Sequence, residues 1–166
     1  MKRKWFASLL AICMLILLIP ASAFAADGDV ATVTHTDGTV TTTNSYPTVE
    51  AAINAAQDGD TVTISAGTYT PQAGASEITI DKAITIQGEG NRESVLNDYV
   101  FNIQSTNNDG QKSNPTSVTF DNLSFTGTSQ IKEQGVTSSS NAPVSLTVNN
   151  CYAKLEYTTK GNEGND

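Results

Sequence analysis

The segment Val118-Thr-Phe-Asp-Asn-Leu-Ser-Phe125 decides the fold that the sequence predicts, because its pattern occurs three times. In each copy, two short runs of alternating apolar and polar residues flank a turn of two or three residues. The other copies are Ile78-Thr-Ile-Asp-Lys-Ala-Ile-Thr-Ile86 and Leu146-Thr-Val-Asn-Asn-Cys-Tyr-Ala153. A period of two predicts β-strands, and strands this short bury too little surface to be stable alone. We therefore expect the copies to stack on one another, as the units of a repeat protein do.

The turn within each copy needs a residue that tolerates a positive φ angle, and Asn is the best choice after Gly. Asn122 and Asn150 occupy this place in two copies. If the copies stack, these two side chains can hydrogen-bond to each other along the stack and satisfy polar groups that would otherwise lack a partner. The first copy has Lys82 and one additional residue in its turn. We therefore expect the asparagine ladder not to reach it.

A hairpin and a helix are predicted ahead of the repeats. Residues 30–43 alternate around Asp37-Gly38, a dipeptide typical of two-residue hairpin turns, so the region 26–47 is predicted to form an N-terminal hairpin. A helix is predicted over residues 48–57, with Thr48 as its N-cap and Asp58-Gly59 at its end. Its apolar residues recur at helical spacing: Val49, Ala52, Ile53 and Ala56.

The chain from Thr48 to Gly90 resembles the N-terminal coils of right-handed parallel β-helix proteins, the pectate-lyase and pectinesterase-like group. The matching features are helix 48–57, the strand Thr61-Val-Thr-Ile64, the turn Gly67-Thr-Tyr69 and the first repeat copy, and the later copies extend the match to Ala153. The resemblance implies that the helix closes the first coil, and that the turn containing Gly67 and Tyr69 starts the next one. The helix would cover the first layer with its apolar side, which includes Val49 and Ile53.

We therefore expect an all-β protein, a right-handed parallel β-helix (solenoid) with a short N-terminal capping helix. The coils would occupy residues 48–157 and a polar tail residues 158–166. An antiparallel sandwich of immunoglobulin type also has many short strands, but the strand-turn-strand copies with Asn at the bend disfavour it. No second cap follows the last copy, so the chain is expected to be the opening part of a longer protein. The alternative is a complete short solenoid.

The first 25 residues match a secretory signal peptide. Cations at positions 2–4 precede an apolar run from Trp5 to Ile19, and Ala23-Phe-Ala25 supplies the small residues of a cleavage site. The run is shorter than the roughly 20 residues that cross a bilayer, although an uncleaved membrane anchor is the alternative. This pattern predicts a secreted protein, extracellular or in the cell wall, with no membrane attachment after cleavage.

Charge and cysteine content exclude further classes. Without residues 1–25 the chain keeps 6 basic and 17 acidic residues, a net charge of −11. No basic patch remains for a phosphate backbone, so nucleic acid is not an expected partner. Cys151 is then the single cysteine, which rules out an internal disulfide, and we expect it in the core.

No constellation of catalytic, cofactor-binding or metal-binding residues stands out. His35 is the single histidine and has no nucleophile near it in sequence, so we expect a surface residue rather than a triad member. One His and one Cys cannot supply an ordinary zinc site. Asp58 and Asp60 are two carboxylates, against the roughly six or more oxygens of a calcium site, so they are interpreted as a helix end and a strand start. Arg92 is expected to pair with Glu89 or Glu93.

The sequence thus predicts a secreted or cell-surface bacterial β-helix scaffold module, adhesin-like or carbohydrate-binding, and not catalytic by itself. The alternative is the N-terminal part of a polysaccharide-active enzyme of the pectate lyase or pectinesterase type, with its active site downstream. A stacked sheet would present Thr, Asn and Ser along a regular face, so the expected partner is a polysaccharide or a host surface glycan, besides the remainder of a longer chain. No cofactor is expected, and calcium lacks support.

Overall fold

The computed structural model describes residues 28–73, 77–104, 116–134, 144–153 and 156–160. The predicted signal peptide at 1–25 and most of the predicted polar tail lie outside these residues. The described chain contains one short helix and fourteen strands, which confirms the all-β class. The helix is α1 (Val49–Ala55). The strands are β1 (Ala31–Asp37), β2 (Val40–Tyr46), β3 (Thr61–Ile64), β4 (Gly67–Tyr69), β5 (Ile78–Ile80), β6 (Ile84–Gly88), β7 (Ser94–Asn97), β8 (Val100–Gln104), β9 (Thr116–Asp121), β10 (Leu123–Thr126), β11 (Gln130–Gln134), β12 (Val144–Asn149), β13 (Tyr152–Ala153) and β14 (Glu156–Lys160).

The strands form three sheets, and the chain visits them in a fixed order from β3 onward. Sheet A has the order β12-β9-β6-β3-β1-β2, sheet B the order β13-β10-β7-β4, and sheet C the order β14-β11-β8-β5. We call three successive strands, one in each sheet, a round. The four rounds are β3 to β5, β6 to β8, β9 to β11 and β12 to β14, and each pairing between rounds is parallel.

The register corrects the interpretation of the three repeat copies. The second and third copies are equivalent, because Val118 pairs with Leu146 in sheet A and Phe125 with Ala153 in sheet B. The first copy is not equivalent to them: Ile78 and Ile80 lie in sheet C, and only its second half lies in sheet A. A short turn between alternating runs occurs at more than one corner of a round, so the local pattern cannot tell which corner it marks.

The N-terminal hairpin extends sheet A ahead of the first round. Strand β1 pairs antiparallel with both β2 and β3. The turn lies one residue later than predicted, because Asp37 pairs with Val40 and leaves Gly38-Thr39 as the loop. Gly38 has a φ of 59°. A glycine with positive φ at the first loop position is a known solution for two-residue hairpins.

Helix α1 is shorter than predicted. Thr48 caps its start as expected, since the hydroxyl oxygen accepts a hydrogen bond from the Ala51 N–H at 3.0 Å. The helix ends at Ala55 rather than at residue 57, because Ala56 already has an extended conformation. The turn that follows the helix is hydrogen-bonded to another segment, because the Asp58 carboxylate accepts a hydrogen bond from the Ala83 N–H at 2.7 Å.

A lysine from the turn between β5 and β6 satisfies the end of this helix. The Lys82 ammonium donates hydrogen bonds to the carbonyl oxygens of Ile53, Asn54 and Ala56, at 3.2, 3.1 and 2.9 Å. Carbonyls in the last turn of a helix lack partners within the helix, and a cation beside them is favourable. The lysine that interrupts the asparagine pattern therefore has a structural role that its sequence position does not reveal.

The core lies between the three sheets and beneath α1. Val49 and Ile53 are 1% and 0% exposed, and the helix packs against β1, β2 and β3. Deeper in the stack, Phe120 contacts the rings of Phe101 and Phe125 with centroid distances of 5.1 and 5.6 Å. Cys151 is half-buried against this core rather than enclosed in it. Among the described residues, no helix is long and apolar enough to cross a membrane.

The predicted asparagine turns adopt the expected backbone but not the expected ladder. Asn122 and Asn150 have φ angles of 59° and 49°, which confirms the left-handed conformation at both bends. Their side chains do not bond to each other. The Asn122 amide donates to the backbone carbonyls of Gly88 and Gly90, and the Asn150 amide donates to the Asp121 carboxylate at 3.2 Å. The Asn122 amide is thus engaged by the loop of the preceding round and the Asn150 amide by a carboxylate, so neither amide is left to bond the other.

The loop that engages Asn122 contains Arg92, whose φ of 62° is also positive. The predicted ion pair of Arg92 with Glu89 or Glu93 is wrong, because within the described ranges the ion pairs are His35–Asp60 and Lys132–Glu77. The Arg92 side chain is exposed.

Candidate functional site

The outer surface of sheet A carries polar residues in rows that cross the strands. Outward positions of neighbouring strands lie side by side when they are partners in the register. One row consists of six threonines, which we call the threonine row: Thr43, Thr34, Thr61, Thr85, Thr119 and Thr147. It runs without interruption across all six strands of the sheet, from the hairpin to the last round.

A second row lies two residues further along each strand, except in the antiparallel strand β1, where it lies two residues earlier. We call it the mixed row, and it contains Ser45, Thr32, Thr63, Gln87, Asp121 and Asn149. The Gln87 amide donates to the Thr63 hydroxyl at 3.0 Å, so part of this row is satisfied internally. Among the twelve described residues of the two rows, Asp121 alone carries a charge.

Most hydroxyls of the threonine row are available to an external partner. Thr34 and Thr43 bond to each other at 3.2 Å. Within the described part of the chain, no other group hydrogen-bonds to the hydroxyls of Thr61, Thr85, Thr119 and Thr147. Buried hydroxyls behave differently: Ser94 and Ser129, for example, donate to backbone carbonyls. The hydrogen-bonded hydroxyls of buried serines thus stabilise the stack, whereas the unbonded hydroxyls of the threonine row face outward.

Sheets B and C have no comparable row in their described positions. In sheet B the register aligns Thr68, Val95, Ser124 and Tyr152. In sheet C it aligns Thr79, Asn102 and Lys132, and the lysine forms an ion pair with Glu77 at 3.0 Å. Of the three described sheets, sheet A alone carries one polar residue type at partnered positions on all of its strands, which makes its outer surface the candidate functional site.

A shallow cleft lies beside the threonine row where β3, β6 and β9 begin. Its volume is about 200 Å³, and it opens broadly to solvent. Its lining is Gly59, Asp60, Ala83, Ile84, Thr85, Ser117 and Thr119. The cleft therefore shares two threonines with the row and adds the hydroxyl of Ser117, which is exposed.

The carboxylate at this cleft has an unexpected partner. Asp60 is 3% exposed, and its Oδ1 lies 2.5 Å from Nδ1 of His35, whose side chain is 41% exposed. Its other oxygen accepts a hydrogen bond from the Gln57 N–H at 2.8 Å. His35 and Asp60 fall opposite each other where β1 meets β3, one position beyond the pair formed by Thr34 and Thr61.

His35 lies on strand β1 with a partly exposed side chain, as expected of a surface strand residue, but its contact with Asp60 was not predicted. An Asp–His pair supplies two of the three roles of a catalytic triad. In the described residues, however, His35 forms no hydrogen bond other than the one to Asp60. The contact joins the hairpin to the first round, and we assign it a structural role.

The predicted structural residues lie apart from the threonine row. Gly67 begins β4, where its N–H donates to the Glu93 carbonyl at 3.0 Å. The Tyr69 hydroxyl donates to the carbonyls of Ser65 and Ala66, and burial, together with the charge of Glu89, raises the pKa of Tyr69. Val49 and Ile53 lie beneath α1, and Asn122 and Asn150 at the bends between sheets A and B.

The threonine row was not identified from sequence, although a signal for it exists. Thr85, Thr119 and Thr147 each follow the first apolar residue of a run in the repeat copies. The outward position of these threonines followed from alternation. Their alignment with Thr61 and with the hairpin did not, because it depends on the register between distant strands.

The structure offers no metal centre within the ranges it describes, where no three His, Cys, Asp or Glu side chains come together.

Comparisons with protein-family models, with curated proteins and with solved structures found no match.

Proposed function

We propose that the chain is a right-handed parallel β-helix that acts as a secreted or cell-surface scaffold module and binds carbohydrate without catalysing a reaction. The observation that carries this proposal is the threonine row, six in-register threonines across sheet A with four unengaged hydroxyls. A scaffold is the appropriate description because the residues form a long regular surface rather than an enclosed pocket.

Parallel pairing between all four rounds supports the β-helix. Each round contributes one strand to each sheet, as a chain wound around an axis would. The right-handed sense follows from a general rule, since parallel strands of one sheet are joined by right-handed crossovers in about 98% of cases. The resemblance of residues 48–90 to the pectate-lyase and pectinesterase-like group agrees with this sense.

The position of α1 supports its role as the N-terminal cap. An open end of a parallel stack exposes apolar side chains and must be covered. Val49 and Ile53 bury the apolar side of the helix, and Lys82, in the turn between β5 and β6, donates hydrogen bonds to its last carbonyls. The hairpin completes this end by pairing β1 with β3.

The proposed location rests on the sequence. Residues 1–25 have the three regions of a secretory signal peptide. An exported chain would meet polysaccharides outside the cell, and hydroxyl-rich surfaces are suited to bind sugars because both partners donate and accept hydrogen bonds.

The experiment is a binding and turnover assay on the chain purified after export. We expect retention on at least one immobilised polysaccharide, and no release of sugar or methanol from pectin. A supporting measurement is the far-UV circular dichroism of the same sample, which should report β structure. Turnover of pectin would contradict a non-catalytic role, and failure to bind any carbohydrate would contradict the binding role.

A further inference from the structure

We infer that the threonine row binds an uncharged, linear polysaccharide that lies across the strands of sheet A, along the direction in which the rounds stack. The inference rests on the proposed carbohydrate binding and specifies the class of ligand, its footprint and its orientation. It is drawn from the register, the free hydroxyls and the distribution of charge around the row.

The length of the row favours a polymer over a single sugar. Neighbouring strands of a sheet are about 4.8 Å apart, so six threonines in register span roughly 24 Å. Strands within a round change direction after a few residues, whereas the row continues from β2 to β12. An extended chain therefore gains the most contacts when it runs perpendicular to the strands.

The chemistry of the row favours many weak contacts. Each threonine hydroxyl offers one donor and two acceptor sites, and four of the six are without a partner in the described structure. Neither row contains an aromatic side chain at its described positions, so stacking of sugar rings on an aromatic residue cannot supply the affinity. Affinity must then come from the number of hydroxyls engaged at once, and it should increase with the length of the polymer.

The charges exclude an acidic polymer as the preferred ligand. The chain carries a formal net charge of −8, and Asp121 is the one charged residue of the two rows. A polyuronate would require cations on this surface. Lys82 is engaged by the carbonyls of α1, Lys132 by Glu77 on sheet C, and Arg92 lies in the turn between β6 and β7. Lys160, the other described lysine, lies on β14 in sheet C, so no Lys or Arg of the described structure belongs to the row.

The test compares two matched double variants of the exported chain. One combines Thr85→Val with Thr119→Val, which removes two central hydroxyls but keeps the branched shape of the side chains. The control combines Thr68→Val with Thr79→Val, which removes two exposed hydroxyls from sheets B and C. Melting temperatures of both variants should match that of the wild type, because valine keeps the branched shape of threonine and is favourable in strands.

Binding is measured by affinity electrophoresis and titration calorimetry with a set of neutral soluble glucans and galactans, their fragments of two or three sugars, and polygalacturonate. We expect a neutral polymer to bind more tightly than its fragments and than polygalacturonate. The row variant should weaken this binding on the order of tenfold, as two lost hydrogen bonds would, and the control should leave it unchanged.

Each failure identifies what is wrong. A preference for polygalacturonate would contradict the uncharged ligand, and an equal loss of affinity in both variants would contradict the threonine row as the binding site. Either result would leave the proposed carbohydrate binding intact. Absence of binding to every polysaccharide in the proposed-function assay would overturn the proposed function itself.

Discussion

Replacing Lys82 with methionine tests the link between α1 and the first round. The Lys82 ammonium reaches three carbonyl oxygens at the end of the helix, at distances between 2.9 and 3.2 Å. Methionine keeps an unbranched apolar stem of similar length but removes the charge and all three donors. Lys132→Met is the matched control. The Lys132 ammonium makes a single contact, at 3.0 Å, and its partner is the partly exposed carboxylate of Glu77.

The expected loss for Lys82→Met is about 2 kcal/mol of unfolding free energy. A hydrogen bond to a charged group contributes about 1.5–3 kcal/mol, and a cation at a helix end about 0.3–1 kcal/mol. Water replaces part of these interactions at the exposed edge of the turn, so the expected loss of unfolding free energy is near the low end of the sum. An exposed ion pair such as Lys132–Glu77 contributes between about 0 and 1 kcal/mol. The two lysines should therefore differ clearly.

The assay is equilibrium unfolding in urea, with thermal melting as a second measurement. A loss of about 2 kcal/mol corresponds to a decrease of roughly 5–10 °C in melting temperature for a domain of this size. The Lys132→Met variant should remain within about 0.5 kcal/mol of the wild type. Equal losses in the two variants, or no loss in Lys82→Met, would refute the view that this lysine secures the helix.

Three further outcomes are expected. Ile53→Asp should cost several kcal/mol in urea unfolding, because it places an unpaired carboxylate at a position that is 0% exposed; Asn54→Asp, on the exposed side of the same helix, should cost little. Hydrogen bonds from Thr128 lower the pKa of Asp98. The stability that this carboxylate contributes is therefore present above the ordinary pKa of 3.8 and is lost as the pH falls through the folded pKa. Asp98→Asn should reduce the decrease of the urea midpoint at acid pH, and an unchanged pH dependence of the midpoint would contradict this. Burial raises the pKa of the Cys151 thiol, so in the chain without residues 1–25, which include Cys13, alkylation near pH 8 should be slower than in the same chain unfolded in urea, with Cys151→Ser as the blank.

Local chemistry predicted those features of the fold that depend on neighbouring residues. Asn122 and Asn150 adopt positive φ because an asparagine at a tight bend tolerates it. Thr48 caps α1 because a hydroxyl followed by an apolar helical pattern is a sufficient signal. The alternation of apolar and polar residues likewise identified strands and their inward sides.

Features that depend on the path of the chain were missed. The first repeat copy lies at a different corner from the other two, although its local pattern is the same. The contact between His35 and Asp60 spans 25 positions, and the one between Lys82 and Ala56 spans 26. The threonine row needs the register of six strands at once. Neither residue type nor spacing determines which of these distant residues come into contact, because that depends on the conformation of the loops between them.

The change in burial along the stack bears on how the molecule opens. Val148 is 43% exposed, whereas its register partner Phe120 in the preceding round is fully covered. In a stack where each layer contacts only its neighbours, stability is divided among layers. Amide protons of β12 should therefore exchange with deuterium faster than those of β6 and β9. We therefore expect local opening at Val148 to cost less free energy than opening at Phe120.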